Sequence, residues 1–304
     1  MKIHHFQQDF IFKQKTALAV GNFDGVHLGH KLMLEKLLNF SSKHNLKPVV
    51  LSLYPHPKSL ILGKAPAVLT TLRDKAELLE GLGISDWVLL PFRAEIMKTS
   101  PVEFLEILRK QLRVNYLISG SDFKFGYKGQ GDKIYLQEMA IKHNFIYEIL
   151  ENININNERI SSSKIRELLK NYNLELANKL LGHNLSFTGK VIKGEQRGRL
   201  LNFPTANLNV PENWALPNGV YAVKVGEKIA VANLGSSPTF KVFKRKLEVH
   251  LLNTKQDLYN KYIKVEFFKF LREIKKFDNA EELKQQINKD ILDSKEFFMN
   301  YDEN

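Results

Sequence analysis

A ten-residue stretch near the N-terminus, Gly21–His30, constrains the fold more than any other part of the chain. It follows a short apolar run, Thr16–Val20, that has the length and the bounding glycine of a buried strand. After it, Leu34, Leu37 and Leu38 recur at the spacing of an amphipathic helix. The stretch therefore predicts a strand-to-helix turn that opens an α/β unit.

This turn has the features of a phosphate site. Its three glycines let the backbone approach a ligand closely, and the helix N-terminus offers free N–H groups and the positive end of its dipole. His27 and His30, three residues apart where the helix begins, can present two imidazoles to one anion. A zinc site is disfavoured, because the metalloprotease helix uses i, i+4 histidines around a glutamate and the chain has no cysteine. Ordinary capping or surface histidines are the plain alternative.

Length and composition bound the class of protein. A chain of 304 residues is long for one core, so two domains are expected. Its 43% hydrophobic and 26% charged residues are typical of a soluble globular protein, and the lack of cysteine excludes disulfides and iron–sulfur chemistry. The segment Met1–Phe6 has no apolar core of a signal peptide, and no run approaches a membrane span. We therefore expect a cytoplasmic protein without membrane contact.

The net charge of +12 raises a nucleic-acid hypothesis. The basic excess is spread over both halves of the chain, with no basic arm or tail. A diffuse positive field also suits small anionic substrates, and a lysine-rich background composition explains much of the excess. Small-molecule partners are therefore favoured over nucleic acid.

Strand-like and helix-like segments alternate through the first half. The run Lys47–Leu53 predicts a second strand, ended by Pro55 and Pro57 because proline cannot continue a ladder. Helix-like segments then alternate with the apolar runs Trp87–Leu90 and Tyr116–Ile118. This alternation predicts a parallel sheet with helices on its faces.

Two further segments of the first half carry candidate ligand contacts. The glycine-rich loop Gly120–Gly131 has neither a Walker A sequence nor G-x-G-x-x-G, and its Phe123 and Phe125 either pack inward or stack on a flat ligand. In Ser161–Arg166, serines supply an N-cap, while Lys164 and Arg166 fall in the first helical turn, where the dipole disfavours cations. A bound polyanion would remove that conflict, and solvated surface charge is the alternative.

From Leu185 onward, short β-prone runs separated by turn residues predict an antiparallel barrel. Leu283, Ile287 and Ile291 then give a terminal amphipathic helix. Within the barrel, a turn rich in glycine and arginine runs into the corner Pro204–Asn207.

These motifs carry a resemblance to a known family. The stretch Gly21–His30 resembles the HxGH signature of the nucleotidyltransferase superfamily, and Ser161–Arg166 resembles its ISSTxIR motif with Ser163 in place of threonine. The segments 194–207, 233–240 and 248–252 resemble riboflavin kinase signatures. Over roughly residues 16–292, the chain resembles the bacterial bifunctional riboflavin kinase/FAD synthetase family.

The resemblance implies an α/β fold with an N-terminal HxGH nucleotidyltransferase domain on a Rossmann-like parallel sheet and a C-terminal antiparallel β-barrel with a terminal helix. It implies an FMN adenylyltransferase in residues 1–182 and a riboflavin kinase in residues 183–304. Riboflavin would be phosphorylated to FMN and FMN adenylylated to FAD, with ATP and Mg²⁺ as cofactors. Its partners would be riboflavin, FMN and ATP. An adenylyltransferase for another cofactor precursor and an RNA-binding barrel are the alternatives.

The resemblance also implies site residues. For the transferase, His27 and His30 would be catalytic, and nucleotide contacts would come from Asn22, Phe23, Asp24, Gly25, Ser162, Ser163 and Arg166. Phe123 and Phe125 would lie near the flavin. For the kinase, Glu248 would be the general base, Thr205 and Asn207 would hold Mg²⁺, and nucleotide contacts would come from Gly194, Arg199, Pro204, Thr205 and Asn207. Asn202 stands where the family usually has glycine, so we expect weaker ATP binding if that loop approaches the phosphates closely.

Overall fold

The computed structural model describes the chain except for Gln8, Leu62, Lys64, 156–157, 195–202, 240–241, Asn253, 255–257 and 303–304. Packing divides the chain into two units. The first comprises residues 1–66 and 75–161, and the second comprises residues 67–74 and 162–304.

A parallel sheet of six strands organises the first unit, in the order β1-β4-β3-β2-β5-β6. The strands are β1 (Lys2–His5), β2 (Thr16–Val20), β3 (Lys47–Tyr54), β4 (Asp86–Pro91), β5 (Val114–Gly120) and β6 (Ile146–Leu150). All five residues of the central strand β2 are buried, as expected of a parallel strand covered on both faces.

Helices and short elements cover this sheet. They are α1 (Leu28–His44), α2 (Pro57–Ile61), α3 (Leu72–Gly81), α4 (Ala94–Lys98), α5 (Pro101–Glu106), a π-helical turn (Ile107–Gln111), α6 (Lys133–His143), and a hairpin of β7 (Asn154–Ile155) and β8 (Glu158–Arg159). Alternate strand residues point to two separate apolar cores: Leu18 and Leu51 to one, Ala19 and Val50 to the other. This confirms the predicted α/β arrangement.

The second unit is built on an antiparallel sheet of six strands, in the order β10-β13-β12-β11-β14-β9. Its strands are β9 (Leu185–Lys190), β10 (Ala206–Asn209), β11 (Gly219–Val225), β12 (Lys228–Thr239), β13 (Val242–Leu251) and β14 (Tyr262–Arg272). The Ile192 N–H donates to the Asn207 carbonyl at 2.8 Å, which brings the ends of the edge strands β9 and β10 together. The sheet is therefore nearly a closed barrel, as predicted.

Three helices complete this unit: α7 (Ser162–Lys170), α8 (Leu174–Leu181) and the terminal helix α9 (Ala280–Asp302). Asn178 on α8 donates to the Phe267 carbonyl at 2.8 Å and accepts from the Leu185 N–H at 2.9 Å. By packing, α7 and α8 thus belong with the barrel. The boundary after Gly182, which concerns how the two activities divide, stays a prediction.

A short segment from the first half of the sequence, residues 67–74, also packs with the barrel. The Val68 N–H donates to the Asn213 carbonyl at 2.7 Å, and the Ala215 N–H donates to the Val68 carbonyl at 2.8 Å. Trp214, which is 3% exposed, donates its indole N–H to the Leu69 carbonyl at 3.2 Å. Asp74 ends the segment with a buried carboxylate that accepts from the Thr188 N–H at 3.0 Å and from the Thr71 hydroxyl at 2.6 Å.

We expect Asp74→Ala to destabilise the second unit by about 1–3 kcal/mol, because the Thr188 N–H and the Thr71 hydroxyl would lose their acceptor. Urea unfolding followed by circular dichroism measures the loss, and amide exchange at Thr188 should become faster. Asp293→Ala, at an exposed position on α9, serves as the matched control. Equal stabilities of the two variants would contradict the assigned role of Asp74.

Candidate active sites

The turn between β2 and α1 holds unusual backbone angles. Phe23, Gly25 and Val26 have φ values of 50°, 84° and 40°, all in the left-handed region. For the β-branched Val26 this conformation is strained. Strain of this kind persists where the surrounding structure imposes it, which is common at ligand sites.

His27 and His30 lie together at the start of α1. His27 caps the helix, since its Nδ1 accepts from the His30 N–H at 3.3 Å. The two rings stack with centroids 3.7 Å apart at 15°. Gly29 permits this arrangement, because a Cβ at that position would lie 3.2 Å from the His27 ring. The predicted pair of imidazoles at a helix N-terminus is thus present as a single stacked unit.

His30 has an unusual electrostatic setting. Its Nδ1 is buried and has no hydrogen-bond partner among the described residues. Exclusion of water holds the pKa of His30 well below its ordinary value, and the nearby His27 and Lys75 lower it further. The ring is therefore neutral at pH 7.

The neighbouring residues of the turn have separate roles. Phe23 is fully buried, and its ring centroid lies 5.0 Å from that of His30, so its side chain packs against this histidine. Asn22 holds the turn from the side: its carbonyl accepts from Lys75 Nζ at 2.7 Å, and its amide nitrogen lies 3.2 Å from His56 Nε2. Asp24 is buried and Gly25 forms the bend. Lys75 was missed by sequence reasoning, because nothing in its local pattern relates it to a turn about fifty residues earlier.

The two loop phenylalanines differ in exposure. Phe125 is 6% exposed and packs in the core against Phe104 and Tyr135, with centroid distances of 5.0 and 5.9 Å. Phe123 stacks on Phe125 at 5.6 Å and is half-buried. Phe125 therefore has little surface for a flavin, whereas Phe123 keeps some.

The serine-rich motif begins the second unit. Helix α7 starts at Ser162, and the apolar side chains of Ile165 and Leu169 are buried beneath it. Arg166 donates from Nε to the Ala67 carbonyl, so it holds the segment 67–74 to α7. The predicted nucleotide contacts of Ser162, Ser163 and Arg166 stay predictions.

A second candidate site lies on β10 and β13 of the barrel. Asn207 donates from Nδ2 to the Thr205 hydroxyl at 3.3 Å and to the Thr205 carbonyl at 3.4 Å. The register places Asn207 directly opposite Glu248, so these three residues come together although about forty residues separate them in sequence. A Cβ at Gly194 would lie 2.5 Å from the Asn207 amide nitrogen. Only glycine therefore lets the preceding turn pack on this side chain.

Two residues near Glu248 lie in segments that resemble the kinase signatures, but the sequence assigned them no role of their own. Asn233 on β12 is the cross-strand partner of Glu248 on the side opposite Asn207, and His250 donates a hydrogen bond to the Pro204 carbonyl. The alternation Glu248-Val249-His250 could have indicated His250, since residues two apart share a sheet face. Arg199 and Asn202 lie outside the described residues.

Among the residues that the structure covers, no group of three or more His, Asp or Glu side chains is arranged to hold a metal ion. In the same part of the chain, none of the helices has the length and apolar character needed to cross a bilayer.

Two family models match the chain: FAD synthetase over residues 10–164 and riboflavin kinase over residues 181–298. The bifunctional riboflavin kinase/FMN adenylyltransferase of Escherichia coli (strain K12) is 38% identical over 293 residues, which cover 94% of each chain. The Haemophilus influenzae protein of the same name is 39% identical over 292 residues, covering 94% of this chain and 95% of its own. A crystal structure from Streptococcus pneumoniae, described as a macrolide-efflux protein, has a TM-score of 0.83 at 25% identity and covers 96% of this chain and 98% of its own.

We expect the His30 ring in the free protein to titrate well below its ordinary pKa of 6.5, and ATP to raise that pKa because a nearby anion favours the charged form. NMR titration of isotope-labelled histidine measures both, with His30→Asn used to assign the resonance. Since the folded pKa lies below the unfolded one, protonation favours the unfolded chain, and stability falls as the pH drops below 6.5. A midpoint at or above 6.5 without ligand would contradict the burial argument.

Proposed function

The chain belongs to the family of bifunctional riboflavin kinase/FMN adenylyltransferases, and we propose that its residues 1–182 carry the adenylyltransferase and residues 183–304 the kinase. The enzyme phosphorylates riboflavin to FMN with ATP, then adenylylates FMN with a second ATP to give FAD and pyrophosphate. The FAD synthetase model ends at residue 164 and the riboflavin kinase model begins at residue 181, which supports this division.

The stacked pair His27 and His30 is the observation that carries the transferase assignment. In the proposed reaction an oxygen of the FMN phosphate attacks the α-phosphorus of ATP. The bond from that phosphorus to the bridging oxygen breaks, and its electrons leave with pyrophosphate. The two imidazoles and the N–H groups at the start of α1 stabilise the charge that develops on the phosphates. No covalent enzyme intermediate is needed.

We also propose which residues of the transferase contact the nucleotide, the phosphates and the flavin. The strained turn supplies backbone groups to the nucleotide from Asn22, Asp24 and Gly25, while Phe23 supports the histidines. Ser162, Ser163 and Arg166 contribute phosphate contacts, and Phe123 is the better candidate than Phe125 for contact with the flavin ring because more of its surface is exposed.

In the kinase we propose Glu248 as the general base. The 5′-hydroxyl of riboflavin is a poor nucleophile at neutral pH, and a carboxylate within hydrogen-bond reach accepts its proton as the oxygen attacks the γ-phosphorus of ATP. The leaving electrons pass to ADP. Thr205 and Asn207 hold the phosphates opposite this base, and Gly194, Arg199 and Pro204 contribute nucleotide contacts. The register of Asn207 opposite Glu248 supports this arrangement.

Thr205 and Asn207 also fit a Mg²⁺ site. Each offers a neutral, hard oxygen, and Mg²⁺ takes few protein ligands when substrate phosphate and water complete its shell. When bound, Mg²⁺ neutralises phosphate charge in phosphoryl transfer. Riboflavin, FMN and ATP are the partners of this proposal, with no nucleic acid and no membrane, and we propose the cytoplasm, where ATP is available, as the location.

We expect His27→Ala or His30→Ala to abolish FAD formation from supplied FMN while FMN formation from riboflavin persists, because only the transferase site loses its phosphate contacts. Chromatographic separation of riboflavin, FMN and FAD measures both activities. His44→Ala, at the opposite end of α1, is the matched control and should keep both. Near wild-type FAD synthesis in both His27→Ala and His30→Ala would contradict the assignment of these histidines to the transferase site.

For the kinase, Glu248→Gln keeps the shape of the side chain but cannot accept a proton. We expect FMN formation to slow by roughly 10²–10⁴-fold, the range of general-base catalysis, with FAD formation from FMN unchanged. Glu266→Gln, on β14 of the same barrel and also half-buried, should leave both rates unchanged. An undiminished rate in Glu248→Gln, or loss of both activities in a folded protein, would refute the role of Glu248.

A further inference from the structure

His250 lies on the same sheet face as the proposed base. Glu248 and His250 are two residues apart on β13, so their side chains leave the strand on one side. Val249 between them is fully buried in the barrel core. The sheet face that carries the Glu248 side chain therefore also carries the His250 imidazole, two residues further along the strand.

The His250 side chain reaches the corner Pro204–Asn207. Its Nδ1 lies 2.9 Å from the Pro204 carbonyl oxygen. Because a carbonyl can only accept, the ring donates from Nδ1. The rings of His250 and Phe203 also meet edge to face, with centroids 5.5 Å apart at 83°. His250 thus holds the backbone immediately before Thr205.

The hydrogen bond from His250 to Pro204 lies just beyond the last backbone pair between β10 and β13. In the described part of the chain, the pairing of β10 with β13 begins with Ala206 opposite Val249 and continues with Asn207 opposite Glu248. Pro204 has no N–H and cannot extend the ladder. If the register continued, Thr205 would lie opposite His250. Instead, the His250 imidazole donates a hydrogen bond to the Pro204 carbonyl at this position. The corner is therefore fixed to β13 at both ends, by Asn207 and by Pro204.

We propose that His250 is a positioning residue of the kinase, which holds the corner carrying Thr205 and Asn207 in place opposite Glu248. This inference rests on the roles proposed for those three residues. His250 acts through the Pro204 carbonyl rather than by proton transfer, so its loss shifts the nucleotide-binding corner and leaves the base intact.

Two substitutions of His250 test this role in the full-length enzyme. His250→Phe keeps a ring beside Phe203 but removes the donor. We expect the KM for Mg·ATP in FMN formation to rise about threefold to tenfold, the effect of one lost net hydrogen bond, with a smaller change in kcat. His250→Asn places an amide N–H near the position of Nδ1 and should restore the KM to within about twofold of wild type, as one recovered hydrogen bond predicts.

Matched controls separate this role from general damage. His183 also places its Nδ1 near a backbone carbonyl, that of Asn184 at 3.0 Å, so His183→Phe makes the same chemical change elsewhere in the second unit and should leave the KM unchanged. FAD formation from supplied FMN and the melting temperature report on folding. Thr205→Ala tests the underlying site: if it retains wild-type kinase kinetics, the proposed function of the corner fails whatever His250 does.

The outcomes are distinct. A raised KM for Mg·ATP in His250→Phe that is rescued in His250→Asn supports the positioning role. Unchanged kinetics in both variants overturn it. Equal losses of kcat in both variants, with an altered pH profile of FMN formation, also overturn it, since they would make His250 a direct participant in the chemistry.

Discussion

The second unit depends on side chains that satisfy backbone groups which the strand ladders leave unpaired. Buried Arg245 illustrates this, because its guanidinium donates to the carbonyls of Trp214 and Leu216 and to the Asn218 side chain. Burial lowers the pKa of Arg245, yet each of these donors has a partner. A buried polar group without a partner would cost a large part of a domain's net stability, so these bonds are needed for a barrel with irregular corners. Asp74 does the same for the Thr188 N–H.

The two sites depend on different features of the backbone. The transferase site relies on a strained turn and a helix N-terminus, where the backbone itself offers donors and His27 and His30 add to them. The kinase site relies on strand register, which sets Glu248 between Asn207 and Asn233 on one sheet face. A turn fixes residues that are close in sequence, whereas register aligns residues from distant segments. This difference explains why the histidine pair lies in one continuous motif, whereas Asn207, Asn233 and Glu248 come from separate segments.

The same difference decides how much the sequence could predict. The fold class, the histidine pair and the sharing of one kinase site by Glu248 and Asn207 followed from local periodicity and from motif resemblance, and the structure pairs Glu248 with Asn207. Lys75 and the packing of residues 67–74 on the barrel could not be predicted, because each depends on contacts between segments whose local patterns say nothing about one another. Phe125 was ambiguous for a further reason: an aromatic residue in a glycine-rich loop has the same pattern whether it packs inward or faces a ligand.

The placement of residues 67–74 has a consequence for biosynthesis. These residues are synthesised early, but their hydrogen-bond partners come much later in the chain. Thr188, the partner of Asp74, follows it by 114 residues, and Trp214, the partner of Leu69, follows it by 145 residues. Translation adds roughly 5–20 residues per second, so this segment waits about six to thirty seconds for its partners to emerge from the ribosome. Until then Leu69, which is fully buried in the folded protein, lacks the hydrogen bond that Trp214 donates to its carbonyl. The barrel is therefore completed with a segment that was synthesised long before any of its strands.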